Sequence, residues 1–175
     1  MRLIAFDPGR ETSYAIFDTA APFRIEIGTV DMIGQGRLLR PCPLHIATLC
    51  EGVDQAVVEE VGARPEQGVS AMFTFGLVLG CLLGAITAAK IPLVLVTPQD
   101  WKKSARLSGL GRDESKDAAR AAAKELWPAH DKLLKVKKNH GLAEAALMTR
   151  WYFLAGPGRN LGLAVQDQTP DSAAA

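Results

Sequence analysis

An aspartate, Asp7, closes the first apolar run of the chain, RLIAFD, immediately before Pro8-Gly9-Arg10. A turn there would hold its carboxylate at the edge of a sheet, although Asp-Pro-Gly by itself is also an ordinary turn. Two more acids, Glu59 and Glu60, sit in the apolar stretch QAVVEEV. Neighbouring residues of a strand point to opposite faces, so one of the two faces inward, where a carboxylate is costly unless paired or bound to a cation. The third element is Asn139-His140-Gly141-Leu142-Ala143-Glu144. His140 and Glu144 are four residues apart and share a face if one helix includes both. Taken singly, His140 reads as a surface or capping residue. Taken together, acids on two strands with an acid and an imidazole at a helix start are the ligand types of magnesium and manganese sites. Two such ions about 4 Å apart activate a water and stabilise the leaving oxygen in phosphodiester cleavage.

These side chains need elements to position them. RLIAFD, Tyr14 to Phe17 and Phe23 to Val30 predict three antiparallel strands. A helical stripe through Ile46, Leu49, Cys50 and Val53 is delayed by Pro41 and Pro43 until about Leu44. Residues 55–61 follow as a buried strand. A long apolar helix, a strand from Pro92 to Val96, a helix beginning near Pro98, a charged helix from Asp113 to Leu126 and a last helix from about Leu142 to Leu154 complete the order. The expected fold is α/β, a mixed sheet of three antiparallel then parallel strands with helices on both faces. One domain covers residues 1–155, and the Gly-, Asn-, Gln- and Ser-rich segment 156–175 is expected to be a flexible tail.

Residues 67–89 carry no charge, long enough to cross a bilayer. Ser70, Thr74 and Thr87, the lack of a basic flank or aromatic belt, and the place between two strands favour a crossover helix instead. Gly76, Gly80 and Gly84 lie at four-residue spacing on one face of it. Glycine costs about 1 kcal/mol in a helix interior unless close approach requires it. Packing against the chain's own sheet and a symmetric dimer interface are both open readings of that face.

The 175 residues are 48% hydrophobic and 6% aromatic with net charge +1, the profile of one ordinary domain with a core of its own. Three widely spaced cysteines without a CxxC pair argue against a disulfide scaffold or zinc finger, and a cytoplasmic location is expected. The near-neutral total hides a basic block. Residues 102–138 hold eleven Lys or Arg against five Asp or Glu, net +6, whereas residues 1–101 are net −4 and residues 139–175 net −1. Clustered cations suit a polyanion such as a nucleic-acid backbone, though a solvated helix face has the same composition.

In order and spacing, IAFDPGR, AVVEEV and NHGLAEAAL, with QGVSAMFTFGLVLGCLLGAI, IPLVLVTPQDWKK and RDESKDAARAAAKELWP between them, resemble the RuvC family of Holliday junction resolvases, nearest to its phage and prophage branch. The resemblance spans about residues 1–155. It implies an RNase H-like fold and a homodimer that nicks four-way junctions symmetrically with Mg2+, or Mn2+ as substitute, at two ions per site. It also matches Asp7, Glu59 and Glu144 to the family's catalytic carboxylates, Asp7 bridging the ions. Many members carry Asp or His three residues before the last acid; that position is Gly141 here, and His140 is the expected replacement, as ligand or proton-transfer group. Arg64, Gln67, Met72 and Phe73 would face the junction centre, Phe73 as an unstacking wedge or else as a core residue. Lys102, Lys103, Arg106, Arg112 and Lys116 would contact the backbone, and the glycine ladder would form the dimer. Two rivals stand beside this reading: a dimeric branched-DNA-binding module without catalysis, and a nucleotide-binding fold. The absence of a GxxxxGK[ST] loop does not exclude the nucleotide-binding fold, but the chain is short for a two-lobed kinase-like enzyme; neither a nucleotide cofactor nor a membrane partner is expected.

Overall fold

The computed structural model describes residues 1–60, 62 and 68–161. In chain order its strands are β1 (Arg2–Asp7), β2 (Ser13–Asp18), β3 (Ile25–Thr29), β4 (Met32–Ile33), β5 (Arg40–Pro41), β6 (Gln55–Glu59) and β7 (Leu93–Val96). The helices are α1 (Pro43–Leu49), α2 (Val69–Ala88), α3 (Pro98–Ser104), α4 (Arg112–Leu126), α5 (Asp131–Leu134) and α6 (His140–Leu154). The main sheet runs β3-β2-β1-β6-β7, antiparallel across the first three strands and parallel across β1, β6 and β7. This is the expected mixed α/β sheet.

Alternation along β1 divides the interior into two layers. Leu3 and Ala5 join Ala15, Phe17 and Val57 in a core completed by α3, α4 and α6. Ile4 and Phe6 join Ile16, Ala56 and Val58 in a second core with α1 and α2. Helix α6 is apolar nearly all round, and Gly141 through Thr149 are buried without a break, as a helix wedged against a sheet must be.

Helix α2 is different. It is long and apolar enough to cross a membrane, with mean hydropathy 2.2, yet only Val78, Leu82 and Ile86 are buried, over the sheet. Gly76, Gly80 and Gly84 are exposed, and a Cβ added at any of them meets nothing within 4 Å. Packing of that face against the chain's own sheet is therefore ruled out.

Other expectations shift by a residue or more. Pro43 opens α1 as its first residue, where a missing N–H costs nothing, so the helix begins ahead of Leu44. The stretch before it forms a short β4–β5 pair and a 3-10 turn at Gly36–Leu38. Strand β6 stops at Glu59 and leaves Glu60 exposed. Helix α6 starts at His140, two residues early. Within the segment expected to be a tail, Pro157–Leu161 form a 3-10 turn on α6 with Gly158 buried, and residues 162–175 lie outside the described residues.

The single buried stripe of α2 has a measurable consequence. Leu82→Ala should cost about 2–5 kcal/mol in urea unfolding, as buried Leu truncations do, whereas Val69→Ala should stay within about 0.5 kcal/mol. Similar losses at both positions would contradict the one-sided packing.

Candidate active site

The alternation that builds the first core also aims the acids. Asp7 continues the series Leu3, Ala5 and Glu59 continues Val57, so both carboxylates leave the ends of adjacent parallel strands on the α6 side. Phe6 is in register with Val58, which sets the next residue of each strand side by side. Ser13 is the cross-strand partner of Asp7. Glu144, on α6, is 9% exposed and completes the group. The carboxyl ends of parallel strands are where open α/β sheets receive ligands.

These groups line a cleft of about 470 Å³ together with Arg10, Ser13, Phe75, Lys102, Arg112, Lys116, Lys138 and His140. Its acids strongly perturb one another. Burial, then the charges of Glu144 and Glu59 and a hydrogen bond with Glu144, hold Asp7 well above the ordinary carboxylate range. Burial and the Glu59 charge push Glu144 up to about 7, opposed by Lys102 and Lys116. Both raised carboxyls thus favour a proton in a place suited to a cation. His140, half-buried at the rim, is pushed below its usual value by burial and by Lys116, which keeps the imidazole neutral and able to ligate. Among the described residues no group of three or more acids, histidines or cysteines is already drawn into a metal cage. The donor set nonetheless fits a hard divalent ion: carboxylate oxygens with one neutral imidazole, in a pocket where unneutralised acids retain a proton.

Gly141 is tightly enclosed. A Cβ there would lie 2.6 Å from Ser13 Oγ and 2.8 Å from Asp7 Oδ2, so a side chain at that position would have to displace both. His140, one residue earlier, already lines the cleft.

The other sequence candidates divide. Lys102, Arg112 and Lys116 line the cleft, whereas Lys103 and Arg106 are exposed away from its lining. Phe73 is 56% exposed at the start of α2 and Met72 is also exposed, which removes the core alternative for Phe73. Glu60 is not part of the lining. Arg64 and Gln67 lie outside the described residues. Sequence reasoning did not single out Arg10, Ser13, Phe75 or Lys138, which only the folded turn and helix ends bring to the cleft. It also passed over Trp101, whose buried indole Nε1–H donates to Glu59 Oε1 at 2.7 Å. Its one signal was a tryptophan beside two lysines.

Comparison with known structures defines the class: the chain has a RuvC-like, RNase H-like fold. It matches Thermus thermophilus RuvC in complex with Holliday junction substrate at a TM-score of 0.53 and 16% identity, over 89% of this chain and 96% of that one. A second Thermus thermophilus RuvC structure matches at 0.50 and 16% identity, over 89% and 97%. In sequence, 109 residues, 62% of this chain, are 32% identical to the chloroplastic Holliday junction resolvase MOC1 of Chlamydomonas reinhardtii, and that match spans 12% of MOC1's length. No family model matches.

The raised carboxyls set a pH dependence. A group that holds its proton more tightly folded than unfolded stabilises the fold fully below its unfolded value and loses that contribution as pH rises through its folded one. In EDTA, stability should therefore fall between pH 4.5 and about 7. Glu144→Gln should flatten the decline, and Mg2+ should protect more at pH 8 than at pH 6, both read by thermal unfolding. A Glu144→Gln profile parallel to wild type would show that the carboxyl is not strained.

Proposed function

We propose that the protein is a metal-dependent endonuclease that cuts branched DNA, four-way junctions in particular, as a homodimer. The observation that carries this reading is the convergence of Asp7, Glu59 and Glu144 at the ends of two parallel strands and one helix, in a cleft rimmed by Arg10, Lys102, Arg112, Lys116 and Lys138. The sequence likeness to a Holliday junction resolvase and the fold shared with RuvC support it.

Asp7, Glu59, Glu144 and His140 would hold two divalent ions, Mg2+ or Mn2+. When bound, these supply an activated water and charge stabilisation of the leaving oxygen. The chain's own groups do the rest. Lys102, Arg112 and Lys116 draw the scissile backbone in and offset the negative charge of the acids. Asp7 and Glu144 give up the proton that burial favours, helped by Lys102 beside both and by Lys116 beside Glu144. Neutral His140 ligates, or carries a proton at the rim. Phe75 lines the cleft and Phe73, two residues earlier on α2, is exposed, so the start of that helix stands beside the cut strand and presents a ring for unstacking.

Two measurements test the reading. Asp7→Asn keeps the shape but removes a ligand and a negative charge. It should reduce junction nicking to background while binding a four-way junction in EDTA at least as tightly as wild type. Wild-type cleavage by the folded variant would reduce Asp7 to a turn residue, and binding without cleavage by wild type itself would favour a non-catalytic module.

The open glycine face of α2 supports the dimer. A Cβ at Gly80 meets nothing within 4 Å among the described residues, and Gly80→Leu improves helix propensity by somewhat less than about 1 kcal/mol, so the subunit should stay folded while losing its partner. Sedimentation should show a micromolar wild-type dimer and a monomeric variant; a monomeric wild type would remove this interface.

A further inference from the structure

We infer that Trp101 is a positioning residue: its indole N–H fixes the Glu59 carboxylate for metal ligation, and its ring face seats Lys102 over the same cleft. The inference rests on the metal-dependent reading above and names the part of the protein that prepares Glu59 for it. Trp101 is fully buried, its Nε1 lies 2.7 Å from Glu59 Oε1, and Lys102 Nζ lies 5.4 Å from the ring centroid.

The contact follows from the fold. Glu59 is in register with Val96, the last residue of β7. Thr97 then caps α3 by accepting from the Asp100 amide, with Pro98 as the first helical residue. The helix therefore leaves the sheet beside Glu59, and Trp101, one turn later, turns back into the core that holds Val57 and Val96. Phenylalanine could supply apolar bulk there. What tryptophan adds is a donor, and a buried indole N–H needs an acceptor. Glu59 supplies it.

The kind of donor matters as much as its position. An arginine or lysine on Glu59 would neutralise the carboxylate and compete with a cation for it. An indole donates with no charge and no proton to lose, so it orients the carboxylate without neutralising it. Outer contacts of this type commonly change metal affinity by about 10–100-fold. The ring face meanwhile keeps the Lys102 ammonium near Asp7 and Glu144, both of which feel its charge.

Trp101→Phe retains the ring and deletes the donor. In calorimetric titration with Mg2+ alone, its affinity should fall about 10-fold from wild type. Junction binding in EDTA should be unchanged, and cleavage should be slow at limiting Mg2+ and recover at saturating Mg2+, a rescue that a merely structural role does not give. A folded Trp101→Phe protein with wild-type Mg2+ affinity overturns the inference. If wild type binds Mg2+ and the variant binds it more weakly, yet neither cuts a junction, positioning stands and the nuclease reading fails. If wild type binds neither Mg2+ nor Mn2+, both fail. Should Trp101→Phe not fold, the three indole 15N–1H signals of the wild-type protein decide. One of them should move on Mg2+ addition and the same one on Glu59→Gln, and no movement overturns the inference.

Discussion

Three acidic side chains that repel one another are held at one cleft by parts of the chain that cannot separate them. Asp7 and Glu59 end strands whose hydrogen bonds and buried residues fix their register, and Glu144 lies on a helix packed too tightly into the first core to rotate. The energy of folding that layer thus keeps the acids together, and burial, with their mutual repulsion added, pushes Asp7 and Glu144 above the ordinary carboxylate range. Lys102 and Lys116 answer that charge, and the indole of Trp101 gives one acid a fixed orientation. Fold and electrostatic strain are two sides of one arrangement.

The opposite layer is built for a different purpose. Helix α2 spends only one stripe on the sheet, while Val69 and Phe73 and the glycine ladder stay open. Its first turns reach the cleft at Phe75, so an assembly formed through this helix would sit next to the chemistry.

The sheet and its acids were legible because β-strand alternation is a simple rule: once RLIAFD and QAVVE are central strands, Asp7 and Glu59 must end them. Glu144 was legible from the apolar helix around it. The pairing of Glu59 with Glu60 misled in part, since β6 ends at Glu59, two residues short of the expected end, and Glu60 reaches solvent. Arg10, Ser13, Lys138 and the Trp101 hydrogen bond carry no local signal, because each is defined by what lies across from it in space. The chain around Pro41 and Pro43 was blurred for another reason: prolines mark where a helix cannot continue but do not say that a two-residue strand pair precedes it.

The close approach of Gly141 to Asp7 and Ser13 also makes the order of substitutions matter. An acid at position 141 meets the Ser13 hydroxyl as well as Asp7, so a smaller residue at 13 relieves one of the two contacts and the Asp7 carboxylate would still have to shift. Residues 13 and 141 are 128 positions apart in sequence and belong to different elements, yet neither varies independently of the other. A change at the start of α6 is thus coupled to the second strand, whereas His140, one position away, already carries a side chain that lines the cleft.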